Sequence, residues 1–221
     1  MLTSKEIMMI IEGIGDSVWM TLASTFLGYI IGLPLGIVLT VTGDGGIRPN
    51  SSIYRVLDVI INIFRSVPFL ILLLILQPLT RMIIGKSYGA TATIVPLTIA
   101  AAPYIARMVE SSLKEVDHGV IEAAQSMGAS LMTIVRKVFI TEARTSLAIN
   151  ATIVTTTVLG YSAMAGACGG GGLGDIAIRY GYTRWQPKIL WITVILIVVL
   201  AQIIQVIGMR IAKKIDRRHI G

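Results

Sequence analysis

Side chains able to do acid–base, nucleophilic or metal chemistry are scarce in this sequence. Its two histidines, His118 and His219, stand far apart, and Cys168 is the only cysteine. A lone thiol excludes an intrachain disulfide and any cysteine-pair metal site. Asp58 and Arg65 share a helical face but supply neither a nucleophile nor a ligand set, so an intramembrane enzyme acting on lipid has nothing to work with. No catalytic or metal-binding residue is expected. Gly85-Lys86-Ser87 has the ending of a phosphate-binding loop, but that loop requires glycine five residues before its second glycine, where Thr80 stands. The chain itself should bind no nucleotide and needs no cofactor.

What remains is mechanical, and it centres on "VIEAAQSMGASLMTIVRKVF", residues 120–139. Asp117 is placed to cap a helix starting at about His118, and Gly128 to end it as the residue that tolerates positive φ. Ser130 then caps a second helix with Leu131, Ile134 or Val135, and Val138 on one face and Arg136 and Lys137 elsewhere. Ala123 and Ala124 beside Glu122 leave a shallow face that suits a groove on a partner protein. The competing reading, a helix lying on lipid headgroups, calls for bulkier anchors than alanine.

The elements around this segment are those of a membrane protein. Hydrophobic residues make up 54% of the chain and charged ones 14%, and the apolar residues are gathered in long runs. A span needs about 20 such residues, because ~30 Å of hydrocarbon is crossed at 1.5 Å per residue. Four stretches, Val18 to Val41, Ser87 to Ala106, Thr145 to Gly174 and Ile189 to Met209, carry no charge. A fifth, Val56 to Leu76, carries Asp58, Asn62 and Arg65 on one face, which must look into protein or water. The resulting spans are 18–41, 56–76, 88–107, 145–165 and 189–209, with a loop over 113–142 and a single domain over 1–221. Twelve lysines and arginines fall on the side of the C-terminal tail and six on the other, so the bias sets the N-terminus outside and the C-terminus in the cytoplasm. The net charge of +7 is then a topology signal and a contact with membrane lipid; nucleic acid is not expected as a partner. Residues 1–17 mix Lys5, Glu6, Glu12 and Asp16 into their apolar pattern and do not read as a signal peptide.

Several features inside the spans suggest packing or passage. Gly28, Gly32 and Gly36, one turn beyond Ser24, form a small-residue stripe for close helix approach, with Pro34 loosening the same helix. Arg107 and Glu110 lie one turn apart, so either they pair or Arg107 snorkels to the interface. Thr152, Thr155, Thr156 and Thr157 either bond back to their own helix or line a cavity. "GYSAMAGACGGGGLG" follows them, and its glycines permit irregular backbone, which survives at membrane depth only when buried in protein or lining water. Tyr161, Ser162 and Met164 precede that run and are the candidates for a translocation path, although methionine is as often core filler.

Glu122-Ala123-Ala124, three residues, then Gly128 resembles the signature cytoplasmic loop of permease subunits of binding-protein-dependent bacterial ABC importers. "RSVPFLILL" from Arg65, "PYIARMVESSL" from Pro103 and "GYSAMAGACGGGGLG" from Gly160 follow in order, so the likeness covers essentially the whole chain. The last three segments resemble the methionine-importing members in particular. The resemblance implies an all-α membrane protein, five transmembrane helices per subunit with a cytoplasmic coupling helix, in the ABC importer permease fold of the bacterial inner membrane. It further implies a homodimer, two cytoplasmic ABC ATPase subunits that bind the ATP and Mg, and an extracytoplasmic methionine-binding protein. The coupling role falls on Glu122, Ala123, Ala124 and Gly128, with Ser126, Met127 and Ala129 beside them. Where the family pattern continues with isoleucine, any residue, leucine and proline, this chain has Val138, Phe139, Ile140 and Thr141. With the proline missing, Thr141 is expected to cap the next helix.

A separate argument agrees on stoichiometry: with one docking helix and no internal repeat, two ATPases require two copies of the chain. An ATP-independent channel would leave the docking segment without a purpose.

Overall fold

The computed structural model describes residues 3–216; Arg217, Arg218 and His219 lie outside the described residues. Among the described residues every regular element is helical. The long helices are α1 (Ser4–Thr42), α2 (Ser51–Ser66), α5 (Ala90–Lys114), α9 (Arg144–Ala165) and α11 (Pro187–Ile215). Short helices fill the connections: α3 (Phe69–Ile75), α4 (Gln77–Ile84), α6 (His118–Ser126), α7 (Leu131–Thr133), α8 (Ile140–Glu142) and α10 (Gly172–Ile176). Two six-residue π-helical stretches, Ile134–Phe139 and Ala177–Tyr182, join α7 to α8 and follow α10.

Among the described residues four helices are long and apolar enough to cross a membrane, α1, α5, α9 with its 3-10 extension to Cys168, and α11, and a bent pair makes up to five. That pair falls on the expected span 56–76 and is broken within it. Instead of one helix, α2 stops at Ser66 and α3 resumes at Phe69, because Pro68 removes a backbone donor and disfavours the helical conformation of Val67. The span expected over 18–41 is also only the later part of α1. Thr3 and Glu6 form a capping box ahead of it: the Thr3 N–H donates to Glu6 Oε2 at 2.7 Å and the Glu6 N–H to Thr3 Oγ1 at 3.4 Å. That box starts the helix within the charged N-terminal region and gives it 39 residues.

The chain divides into two compact units, each assembled from separate stretches of sequence. The first takes residues 1–28, 67–101 and 155–205. In it, Ser24 is fully buried and its hydroxyl donates to the Ile94 carbonyl at 3.4 Å, drawing α1 close to α5. Ser17 Oγ accepts from the Leu173 N–H at 2.9 Å, which fixes α1 against α10.

The second unit takes residues 29–66, 102–154 and 206–221. The small-residue stripe is used here for close packing. A Cβ on Gly32 would stand 2.6 Å from the Ala102 carbonyl oxygen, and one on Gly36 the same distance from that of Ala106. Backbone therefore touches backbone along α1 and α5, an approach only glycine allows. Gly28 is buried as well. Leu39, Ile61 and Ala106 form an apolar cluster flanked by Leu35, Tyr54 and Leu57. Asn150 of α9 donates to Ser112 Oγ at 2.7 Å, so polar groups also hold α9 to α5.

Candidate functional site

The segment expected to dock folds through local chemistry. Asp117 caps α6, its carboxylate accepting from the Gly119 N–H at 2.7 Å. At the other end Gly128 adopts φ +77°. Its N–H donates to the Gln125 carbonyl at 2.9 Å and the Ala129 N–H to that of Ala124 at 3.1 Å. This pair of bonds is a Schellman motif, which satisfies carbonyls that the helix end leaves unpaired and requires a left-handed residue at the turn. Ser130 then caps α7, accepting from the Thr133 N–H at 3.3 Å.

Burial divides α6 lengthwise. Ile121 and Ala124 are buried, while Glu122, Ala123, Gln125, Ser126 and Gly128 are exposed. Met127 is the extreme case, a large apolar side chain 81% exposed at the tip of the turn. Ala129 is half-buried. The outward face is thus small, weakly charged and tipped by a thioether, a shape that can enter another protein's groove. Of the two alanines, Ala123 lies on the outer face and Ala124, 6% exposed, on the inner one.

The second helix departs from the expected pattern. Ile134, Val135 and Phe139 are buried, whereas Val138, expected on that face, is only half-buried. The π-helical stretch from Ile134 to Phe139 explains the shift: a wider turn carries the inward face from Ile134 five residues on to Phe139. Thr141 does not cap the following helix. Its hydroxyl turns back to the Arg136 carbonyl at 3.3 Å, five residues earlier, as the wide turn allows, and α9 begins at Arg144 without it.

Close to the docking segment along the chain lies a polar cluster that the sequence reading found only in part. Arg107 and Glu110 do pair, at 2.7 Å, so Arg107 is not a free snorkelling side chain. Arg107 also reaches Asp58 at 2.6 Å and Asn62 at 3.1 Å. Glu110, only 2% exposed, accepts further from Lys114 at 2.7 Å and from the Tyr54 hydroxyl at 3.2 Å. Arg65, expected beside Asp58 and Asn62, stays exposed and takes no part.

In the first unit the glycine run is irregular, as its composition suggests. Gly169, Gly171 and Gly172 have φ of +76°, +81° and +73°. The Gly169 carbonyl accepts from the Gly89 N–H at 2.9 Å and that of Gly170 from the Thr93 hydroxyl at 3.2 Å. Of the residues expected along a path, Tyr161 stacks on Phe69 with centroids 4.9 Å apart, and Met164 is 45% exposed. Ser162 is 1% exposed with its hydroxyl donating to the Leu159 carbonyl at 2.8 Å. No group of metal-ligating side chains occurs among the described residues.

Residues 32–220 match the family of binding-protein-dependent transport system inner membrane components. The chain belongs to that family. This inner membrane component is 46% identical over 203 residues to the probable D-methionine transport system permease protein MetI of Vibrio cholerae, covering 92% of this chain and 90% of that one. It is 51% identical over 158 residues to the D-methionine transport system permease protein MetI of Escherichia coli, covering 72% and 73%. It superposes on a structure of inward facing conformations of the MetNI methionine ABC transporter with TM-score 0.96 and 46% identity, over 98% of this chain and 100% of that one. A crystal structure of an amino acid ABC transporter with histidines shares the fold, at TM-score 0.72 and 21% identity. The permease therefore has the ABC importer permease fold.

The bounds of α6 in the permease are legible in the sequence because caps and terminal glycines act within a few residues. Asp58 as partner of Arg107 is not, although four-residue spacing of Tyr54, Asp58 and Asn62 could have marked a stripe awaiting charge.

Proposed function

We propose that this chain is the membrane-spanning permease of an ATP-driven methionine importer. It works as a homodimer with two cytoplasmic ATPase subunits and an extracytoplasmic binding protein that delivers L- or D-methionine. The observation that carries this reading is the exposed face of α6, Glu122, Ala123, Ser126 and Met127, held rigid by the Asp117 cap and the Gly128 turn. Likeness to MetI proteins over most of the chain supports methionine as the substrate.

In this mechanism the N-terminus is outside and the C-terminus cytoplasmic. ATP-driven closure of the ATPases pushes the two α6 helices together, and the spans rock between outward and inward openings. The likeness to inward facing conformations supports reading the described state as the inward-open one. Free energy enters through the ATPases, so the permease needs no catalytic group. Tyr161 and Met164 line the path beside the two-fold axis; Ser162 is omitted because it is buried.

The test is uptake of labelled methionine into liposomes holding the permease, its ATPase and the binding protein. Uptake requires all three with ATP. Glu122→Lys or Gly128→Asp lowers it about tenfold, the equivalent of ~1.4 kcal/mol in the barrier, at unchanged insertion. Full uptake without ATP would turn the reading to a facilitator, and normal uptake by both variants would remove α6 from the coupling role.

A further inference from the structure

The two polar stripes of the second unit form an ionic ladder. On α2, Tyr54, Asp58 and Asn62 recur every four residues; on α5, Arg107, Glu110 and Lys114 recur at three and four. Each set lies along one line of its helix. The rungs are Asn62 and Asp58 to Arg107 at 3.1 and 2.6 Å, and Tyr54 to Glu110 at 3.2 Å. Along α5, Glu110 takes Arg107 and Lys114 at 2.7 Å each, and the Lys114 ammonium lies 5.7 Å from the Tyr54 ring centre. Two carboxylates meet two cations, so the cluster carries no net charge.

This ladder does more than add stability. Buried ion pairs are often no better than apolar residues of similar volume and exposed ones contribute little, so a buried Glu110 clustered with partly exposed Asp58, Arg107 and Lys114 calls for another reason. Apolar attachment of α2 is narrow: Ile61 is its single buried residue, with Leu57 and Tyr54 packed beside it, while Ile53, Val56, Val59, Ile60 and Ile63 are exposed. A greasy contact of that size permits sliding and rotation, whereas a forked guanidinium held by two side chains of α2 accepts one register. The ladder also sits next to the docking segment. Lys114 ends α5, and four residues later α6 begins at His118.

We propose that the ladder is the transmission contact that passes displacement of the α6 end of α5 to α2, with Arg107 and Glu110 as positioning residues. The proposal rests on the importer reading given above. When α5 moves, Arg107 carries Asp58 and Asn62 with it, so α2 follows α5 rather than slipping over its apolar neighbours.

The experiment measures methionine taken up per ATP hydrolysed by the complete reconstituted complex. Asp58→Asn keeps size and hydrogen-bonding capacity while removing charge, and Arg107→Lys keeps charge while removing the fork. Each lowers the ratio about tenfold while stimulated ATP hydrolysis persists. The double variant is no worse than the poorer single one, because both break the same contact. Asn62→Leu, at an exposed position, gives a smaller loss in the same direction and serves if the charge variants assemble poorly. Asp58→Glu restores most of the ratio. A ratio unchanged in all variants, or uptake and hydrolysis falling together in proportion to assembled complex, overturns the proposal and leaves a structural contact. Failure of the wild-type complex to take up methionine with ATP would instead overturn the importer reading.

Discussion

The turn after α6 and two positions of the glycine-rich stretch, Gly166 and Gly174, depend on glycine for opposite reasons. At Gly128 a Cβ would meet nothing within 4 Å, and the requirement is the φ of +77°. At Gly166 and Gly174, which lie outside the positive-φ set, an added Cβ would run into backbone: the Asp175 nitrogen in one case, the Ala163 carbonyl in the other. The first glycine provides a twist and the other two provide room. The exposed turn at Gly128 has open space around it, whereas a chain folded back on a helix within the same unit has none.

This contrast is open to direct test by alanine substitution. Gly174→Ala should have the largest effect, since neither backbone can yield without moving a helix; a loss of about 3 kcal/mol or more is expected. Thermal unfolding of the detergent-solubilised protein measures it. Gly128→Ala should cost about 1–2 kcal/mol, the penalty of a left-handed alanine, with unchanged packing elsewhere. Gly128→Asn should recover much of that, because asparagine tolerates this conformation, while Gly174→Asn should recover nothing. Equal damage from alanine and asparagine at Gly128 would mean that the site is crowded, and the contrast would fail. The smallest effect belongs to Asp117→Ala, about 1 kcal/mol from one lost cap, read as faster amide exchange at Gly119 and its neighbours.

The legible parts of the molecule were those governed by short-range rules. Asp117, Gly128 and Ser130 act within four residues of themselves, and Gly32 and Gly36 announce close packing without naming the helix they meet. Hydropathy located four spans but passed over Pro68, because a window of apolar residues averages away the one residue that breaks the helix. Phe139 escaped because periodicity assumes a constant turn, and the π-helical stretch inserts a wider one. The link between Asp58 and Arg107 crosses 49 residues of sequence, and spacing on either helix alone says nothing about its partner. Ser162 read as a path residue by its position beside the glycines; its burial follows from the packing of α9, which its polarity did not reveal.

The approach of α1 to α5 at Gly32 and Gly36 has a mechanical corollary. Ile105 and Val109 are seated over those glycines, so sliding one helix along the other would have to lift branched side chains out of their notches. Over this length the two helices behave as a single strut. A load applied at the end of one is borne by both.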